Sequence, residues 1–306
     1  MNSSHDALYP PHVIAFLGLG RMGTPMAGRL VSAGFTVRVF DLRPDAVKSF
    51  MAGHPQAYAA TSGADAVDGA HAVVTMLPDG TAVKEALLGS AGCARSMAAG
   101  TIAIDMSSSA PLQTRETGAA LHALGLSMVD APVSGGVRRA QEGSLAIMAG
   151  GPAEEVHRCL PVLQAMGASV FLMGALGSGH AMKALNNFVS ASGLTAVSEA
   201  LLIGRQFGLD PSLMVDILNA SSGRNNSTEH KMKQFILSET FTGGFALGLM
   251  AKDLGIAADL ADHLDVAAPL STLCGNLWAE AAQELGAVDH TRIFTYLESL
   301  SKKNAT

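Results

Sequence analysis

Residues 13–23 read VIAFLGLGRMG. Five apolar residues have the length of a buried strand, and the glycines that follow are spaced Gly18-x-Gly20-x-x-Gly23. Gly18 permits a tight turn, Gly20 lets the backbone approach a phosphate, and Gly23 allows the next helix to pack closely on the strand. A pyrophosphate can then rest on the helix N-terminus, where unpaired N–H groups and the helix dipole meet it. Such glycines alone are a weak signal, but their context here is strong. A strand precedes them, a helical stretch follows over Pro25–Ala33, and a second strand, Thr36–Asp41, ends in an acid. Asp41 stands 18 residues past Gly23, where a carboxylate can take both ribose hydroxyls of NAD. Arg43 nearby suits a 2′-phosphate and keeps NADP open, although Asp41 would repel that phosphate and favours NAD. Arg21 and Met22 inside the turn, and Leu42 beside Asp41, are counted with the cofactor residues.

Further strands are predicted at Ala72–Met76, Thr101–Asp105 and Ser127–Asp130, with short ones at Leu145–Ala149 and Val170–Met173. Helical stretches such as Thr81–Leu87 lie between them. This alternation predicts an α/β fold, a Rossmann-type doubly wound parallel sheet. TMLPD (Thr75–Asp79) and IDMSSSAP, ending at Pro111, finish at the carboxyl edge of that sheet, where ligands of such sheets bind. Leu77 and Pro78 offer an apolar wall to a nicotinamide. Ser108 can donate to a ribose or carboxamide, or the serines can cap the helix opening at Pro111. Around residue 174 the texture changes. GALGSGH is glycine-rich, and Ala181 to Phe207 contains no proline and much Ala, Leu and Val. A helix from about Gly179 to Gly208 would span roughly 45 Å, enough to bridge two domains. Asp210-Pro211 restarts a helix as N-cap and first residue, and SSGRNNST (Ser221–Thr228) ends it. Helical patterns then cover His230–Leu237, Gly248–His263 and Pro269–Leu285, with no convincing strand after 175. The division expected is a nucleotide-binding domain over 1–174 and an all-helical domain over 175–306.

Composition narrows the class. Of 306 residues, 48% are apolar and 15% charged, and the net charge is −6, which argues against disorder and against nucleic acid as a partner. Cys93, Cys159 and Cys274 are odd in number and far apart, so a disulfide framework is not expected and a reducing, cytoplasmic setting fits. The ten histidines form no HxH or HExxH pattern, so no metal is expected. The start, MNSSHDALYPPH, lacks a signal-peptide core and reads as a loose lead-in. No stretch approaches 18 uninterrupted apolar residues, so no membrane span is expected.

Chemistry is suggested by two clusters. Lys183 and Asn187 stand four apart, which puts an amine and an amide on one helix face. Oxidising an alcohol needs a proton acceptor within hydrogen-bond reach, and a lysine in an apolar cleft can shuttle that proton. Ser134-Gly135-Gly136 sets a hydroxyl and two unhindered N–H groups in a row, suited to an oxyanion. His180 reads as a helix-start residue without a role. Arg138 and Arg139 read as a solvated pair ahead of a substrate clamp, and the 15 methionines as core filler.

Six motifs occur in order: GLGRMGTPMAGRL, TMLPD, IDMSSSAP, DAPVSGG, the K-x-x-N-N of Lys183–Asn187, and the KDL of Lys252–Leu254. Over nearly its whole length the chain resembles the β-hydroxyacid dehydrogenases, the family of 3-hydroxyisobutyrate dehydrogenase and tartronate semialdehyde reductase. The resemblance implies that Lys183 is catalytic and that Asn187 orients the reacting oxygen. It also implies that Ser134, Gly135 and Gly136 bind the substrate carboxylate and that Lys252 lies by cofactor and substrate; the competing reading of Lys252-Asp253 is a surface charge pair. A small anionic hydroxy acid as substrate, such as 3-hydroxyisobutyrate, glycerate or threonate, and a homodimer or homotetramer follow from the same resemblance. A phosphogluconate-type dehydrogenase, an imine reductase, a methyltransferase and a catalytically silent nucleotide-binding protein stand as alternatives.

Overall fold

A computed structural model describes residues 7–303, the side chains of 302 and 303 excepted. The chain divides into two compact units, one ending at Lys183 and the other beginning at Ala184.

The first unit runs β1 (Val13–Leu17), α1 (Gly23–Ser32), β2 (Thr36–Phe40), α2 (Pro44–Gly53), β3 (Tyr58–Ala59), α3 (Gly63–Val67), β4 (Ala72–Thr75), α4 (Gly80–Leu88), β5 (Ile102–Asp105), α5 (Pro111–His122), β6 (Ser127–Asp130), β7 (Val133–Ser134), α6 (Gly136–Glu142), β8 (Ala146–Gly150), α7 (Ala153–Met166) and β9 (Ser169–Gly174). The sheet order is β3-β2-β1-β4-β5-β6-β8-β7, with β9 on β8. From β3 to β6 every pairing is parallel. Every residue of β4 and β5 is buried, as expected of central strands covered on both faces, whose sequences are continuous apolar runs. Beyond β6 the sheet is mixed, because β8 runs antiparallel to β6 and β7. The apolar runs there are short, and hydrophobic pattern does not encode strand direction. The two-residue strands β3 and β7 carry no pattern at all.

The reading of a loose lead-in does not hold at Leu8. Residues 1–6 lie outside those described, but Leu8 is buried and its N–H donates to the Arg158 carbonyl at 2.9 Å.

The second unit holds most of α8 (Ser178–Phe207), then α9 (Pro211–Ala220), α10 (Asn226–His230), α11 (Leu247–His263), α12 (Pro269–Leu285) and α13 (Ile293–Lys303). Asp210 caps α9, accepting from Leu213 N–H at 3.0 Å, with Pro211 in the first turn. SSGRNNST does more than end α9. Asn225 and Thr228 form a capping box that starts α10. The helix expected over His230–Leu237 is replaced by a π-helical turn at Met232–Ile236. Past Gly174 the described residues hold one isolated bridge, Ala246 to Asp289, and no strand. By length and composition α8 is apolar enough to cross a bilayer. Its Ala191, Leu194 and Leu201 are instead buried in the helical core with Leu254 and Trp278, and the Trp278 indole donates to Thr195 Oγ1 at 2.9 Å. Cys93 and Cys159 in the first unit and Cys274 in the second are free and buried. Burial pushes the Cys93 thiol up to about 11.

Candidate active site

The glycine turn leaves no choice of residue at two of its three positions. Gly18 has φ +102°, and a Cβ there would lie 2.4 Å from the Met76 carbonyl oxygen. A Cβ on Gly23 would lie 1.9 Å from the Gly18 carbonyl oxygen. Gly20 differs, since a Cβ there would meet nothing within 4 Å; its side of the turn is open to an approaching group. Met22, the N-cap of α1, makes no side-chain cap bond, which suits a helix start whose first-turn N–H groups meet an anion. Arg21 is exposed, and Met22 is half-buried against the core. A cradle closed by two obligatory glycines and opened by a third fits a dinucleotide pyrophosphate.

Asp41 lies just past β2. Its Oδ2 accepts the Leu19 N–H at 2.7 Å, and its Oδ1 accepts the Arg43 N–H at 2.8 Å and Nε–H at 3.2 Å. Burial alone would raise this carboxyl, but the hydrogen bonds from Arg43 and Leu19 outweigh it and hold it below the ordinary aspartate value. Leu42 is exposed. The Arg43 guanidinium is therefore engaged with the acid that would meet a ribose diol.

At the ends of β4 and β5, the Leu77 N–H donates to Ser107 Oγ at 2.9 Å. Asp105 is buried and accepts from Thr75 Oγ1 at 2.9 Å, Ser107 N–H at 3.0 Å and Ser109 Oγ at 2.8 Å. Ser107 and Ser109 are thus part of the interior, while Ser108 between them is half-buried and Pro78 is exposed. The N-cap of α5 is Ala110, with no side-chain cap, so capping by the serines does not account for them.

His180 is not an idle helix-start residue. It is buried, and its Nε2–H donates to the Ser107 carbonyl at 3.2 Å while Nδ1 meets Thr114 Oγ1 at 2.8 Å. Asp105 and Asp130 each lie 3.7 Å from a ring nitrogen. Asp130, ending β6, accepts the Gly177 N–H at 2.7 Å and the His180 N–H at 2.8 Å, so a carboxylate from the sheet caps the start of α8. Burial raises Asp130 above the usual carboxylate range, and His180 with the two N–H bonds works against that rise. One network thus ties the strand ends beside Leu77 to the helix turn before Lys183. The partners of His180 lie 50 to 75 positions away along the chain, and helix spacing could not reveal them.

Ser134 ends β7. Gly135 and Gly136 follow with φ +134° and +70° at the start of α6. A Cβ on Gly135 would meet Arg139 Cδ at 2.6 Å. Arg138 pairs with Glu142 at 2.9 Å on the surface, in line with the reading of a solvated residue.

Lys183 and Asn187 occupy successive turns of α8. Asn187 is 5% exposed. Its Nδ2–H donates to Asp253 Oδ2 at 2.6 Å, and its Oδ1 accepts from Asn186 at 3.2 Å. Lys252 Nζ lies 3.5 Å from Asp253 Oδ1. Asp253 is 1% exposed, so Lys252 and Asp253 are not a surface charge pair. Asp253 is the residue that sequence reasoning passed over, although it stands inside the KDL motif. Among the described residues no group of three His, Cys, Asp or Glu side chains could hold a metal.

The glycine turn of the first unit fits a nucleotide, and comparison with known proteins supplies the class. Residues 13–174 match the family model described as the NAD binding domain of 6-phosphogluconate dehydrogenase, and residues 177–297 match the NAD-binding domain of NADP-dependent 3-hydroxyisobutyrate dehydrogenase. The chain belongs to the β-hydroxyacid dehydrogenase family, that of 3-hydroxyisobutyrate dehydrogenase, and is an NAD(P)-dependent oxidoreductase. It is 40% identical over 276 residues to a 3-hydroxyisobutyrate dehydrogenase of Pseudomonas aeruginosa, covering 88% of this chain and 92% of that one. It is 38% identical to the NAD-dependent L-serine dehydrogenase of the same organism, covering 87% and 90%. Among solved structures, the Mycobacterium tuberculosis 3-hydroxyisobutyrate dehydrogenase with L-serine is similar at a TM-score of 0.86 and 33% identity, covering 94% and 99%.

Proposed function

We propose that this protein oxidises a small 3-hydroxy acid reversibly to the semialdehyde, with Lys183 as the proton shuttle. The observation that carries the reading is the Asn187 amide, buried and clamped by Asp253 one helical turn from Lys183. A buried amide with a fixed orientation can hold a substrate oxygen for a neighbouring amine, and fixed donors at a reacting oxygen lower the barrier. Lys183 takes the hydroxyl proton in oxidation and returns it in reduction. Ser134 Oγ with the Gly135 and Gly136 N–H groups holds the carboxylate, and Lys252 adds positive charge beside Asp253.

NAD(P) would be held by the Gly18–Gly23 turn, Asp41, Leu77 and Ser108, and when bound it supplies the hydride acceptor. Asp41 favours NAD, since its charge opposes a 2′-phosphate and already occupies Arg43. Self-association as a dimer or tetramer is supported by exposed apolar side chains such as Val189, Ile203 and Phe207 on α8 and Leu213 and Ile217 on α9. The free, buried thiols suit a cytoplasmic setting.

The test pairs a substrate screen with one variant. Activity is expected with 3-hydroxyisobutyrate, 3-hydroxypropionate, glycerate, threonate or L-serine, and poor activity with their methyl esters. Lys183→Met should lower turnover by about 10²–10⁴-fold while an NADH fluorescence titration stays nearly unchanged. Esters that turn over as well as acids, or full turnover by the variant, would sink the reading.

A further inference from the structure

Lys231, the residue joining α10 to the π-helical turn, sends its ammonium to α8, where Nζ donates to Ser190 Oγ at 3.4 Å. On a helix turning 100° per residue, positions 183, 187 and 190 fall within about 60° of one another. Ser190 therefore continues the face that carries Lys183 and Asn187, roughly 4.5 Å beyond Asn187 along the axis. The segment that leads into Lys231 docks on the next turn, for a Cβ on Gly193 would lie 3.6 Å from the Asn225 side chain.

The charge at Lys231 is poorly compensated. Among the described residues no carboxylate comes within ion-pair distance of it. Asp289 acts on it from farther away, but the Asp289 oxygens are already taken. Oδ2 accepts the Gly244 N–H at 2.7 Å and the Phe245 N–H at 3.2 Å, and Oδ1 accepts Thr291 N–H and Oγ1 with His290 Nδ1 at 3.2 Å. Burial pushes the Lys231 ammonium down to about 8, with Asp289 opposing that fall. A half-buried ammonium has three donors, and one long bond to a hydroxyl leaves it under-used. An anion delivered to this place would complete it.

We infer that Lys231 is a specificity-determining residue that receives a second anionic group of the substrate, so that hydroxy diacids are preferred to hydroxy monoacids. The inference rests on the 3-hydroxy acid reading above. The arm bearing the second carboxylate leaves the carbon next to the carbinol; two or three bonds, at about 1.5 Å each, cover most of the distance from Asn187 to Ser190.

A matched pair of substrates tests it. 3-Hydroxyisobutyrate carries a methyl where 2-(hydroxymethyl)succinate carries a carboxymethyl arm, and each is assayed with NAD and with NADP. Wild type should show the higher kcat/KM on the diacid. Lys231→Met should lower the diacid-to-monoacid ratio of kcat/KM by about 10- to 100-fold, chiefly through the KM of the diacid, and Lys231→Arg should recover part of it. An equal loss on both substrates marks Lys231 as structural and overturns the inference. A wild type that favours the monoacid overturns it too, even if Lys231→Met does not fold. A wild type that oxidises neither acid instead removes the 3-hydroxy acid reading, and this inference falls with it.

Discussion

The Gly18–Gly23 turn and the Asn187 cluster do their work with opposite materials. The turn is backbone: two positions exclude a side chain, and the third leaves room for a ligand. The cluster is side chain: an amide, a buried carboxylate and an ammonium from α8 and α11 hold one another. Backbone geometry is set by steric limits that no neighbour can relax, whereas a hydrogen-bonded cluster holds only while each partner keeps its charge and shape. Damage to the first should therefore appear as lost folding or cofactor binding, and damage to the second as lost turnover in a well-folded protein.

Among changes that separate these two regions, Asp253→Asn is expected to show the largest effect. The variant keeps the volume but withdraws the charge that orients Asn187 and pairs with Lys252. Misplacing a positioning group can cost about 10²-fold, so kcat should fall to that extent while NADH binding stays close to wild type. Equal losses in kcat and in NADH affinity would erase the contrast between the two regions.

The glycines come next. Gly23→Ala drives a methyl to 1.9 Å from the Gly18 carbonyl, and overpacking of this kind costs about 1–3 kcal/mol or more. A lower urea midpoint and loss of NADH binding are expected. Gly20→Ala meets nothing in the protein, so its midpoint should stay near wild type while NADH binding weakens. A Gly23→Ala protein as stable as wild type would show that the turn is not sterically closed.

The smallest effect expected is at Asp41. Asp41→Ala removes ribose hydrogen bonds and releases Arg43, which now pairs with the acid. Relative preference should move toward NADP by about tenfold, the equivalent of one such bond. A wild type with a higher kcat/KM on NADP than on NAD overturns the assignment of Asp41.

The same contrast explains what the sequence could disclose. Glycine spacing is a local property, so the turn, the first strands and Asp41 were readable from residues 13–41. The long helix was readable from the absence of proline between Ala181 and Phe207, and Asp210-Pro211 announced the next one. Contacts across the chain were not readable. His180 meets Asp105, Ser107, Thr114 and Asp130 only because the ends of β5 and β6 and the start of α5 surround the first turn of α8. The KDL motif drew attention to Lys252 and gave Asp253 no role of its own, because burial is not written in a dipeptide. The antiparallel course of β8 and the π-helical turn at Met232–Ile236 were hidden for a related reason, since hydrophobic period carries neither strand direction nor the fine winding of a helix.

The three buried thiols make the molecule its own reporter of opening. At neutral pH an alkylating reagent reacts with thiolate, and Cys93, with its thiol pushed up to about 11, offers almost none while folded. Labelling then waits for local or global opening, which exposes each sulfur and restores its ordinary acidity. Two of the thiols sit in the sheet-bearing unit and one in the helical unit. Pulsed alkylation read by peptide mass would thus time the opening of each half separately, with no probe added to the chain.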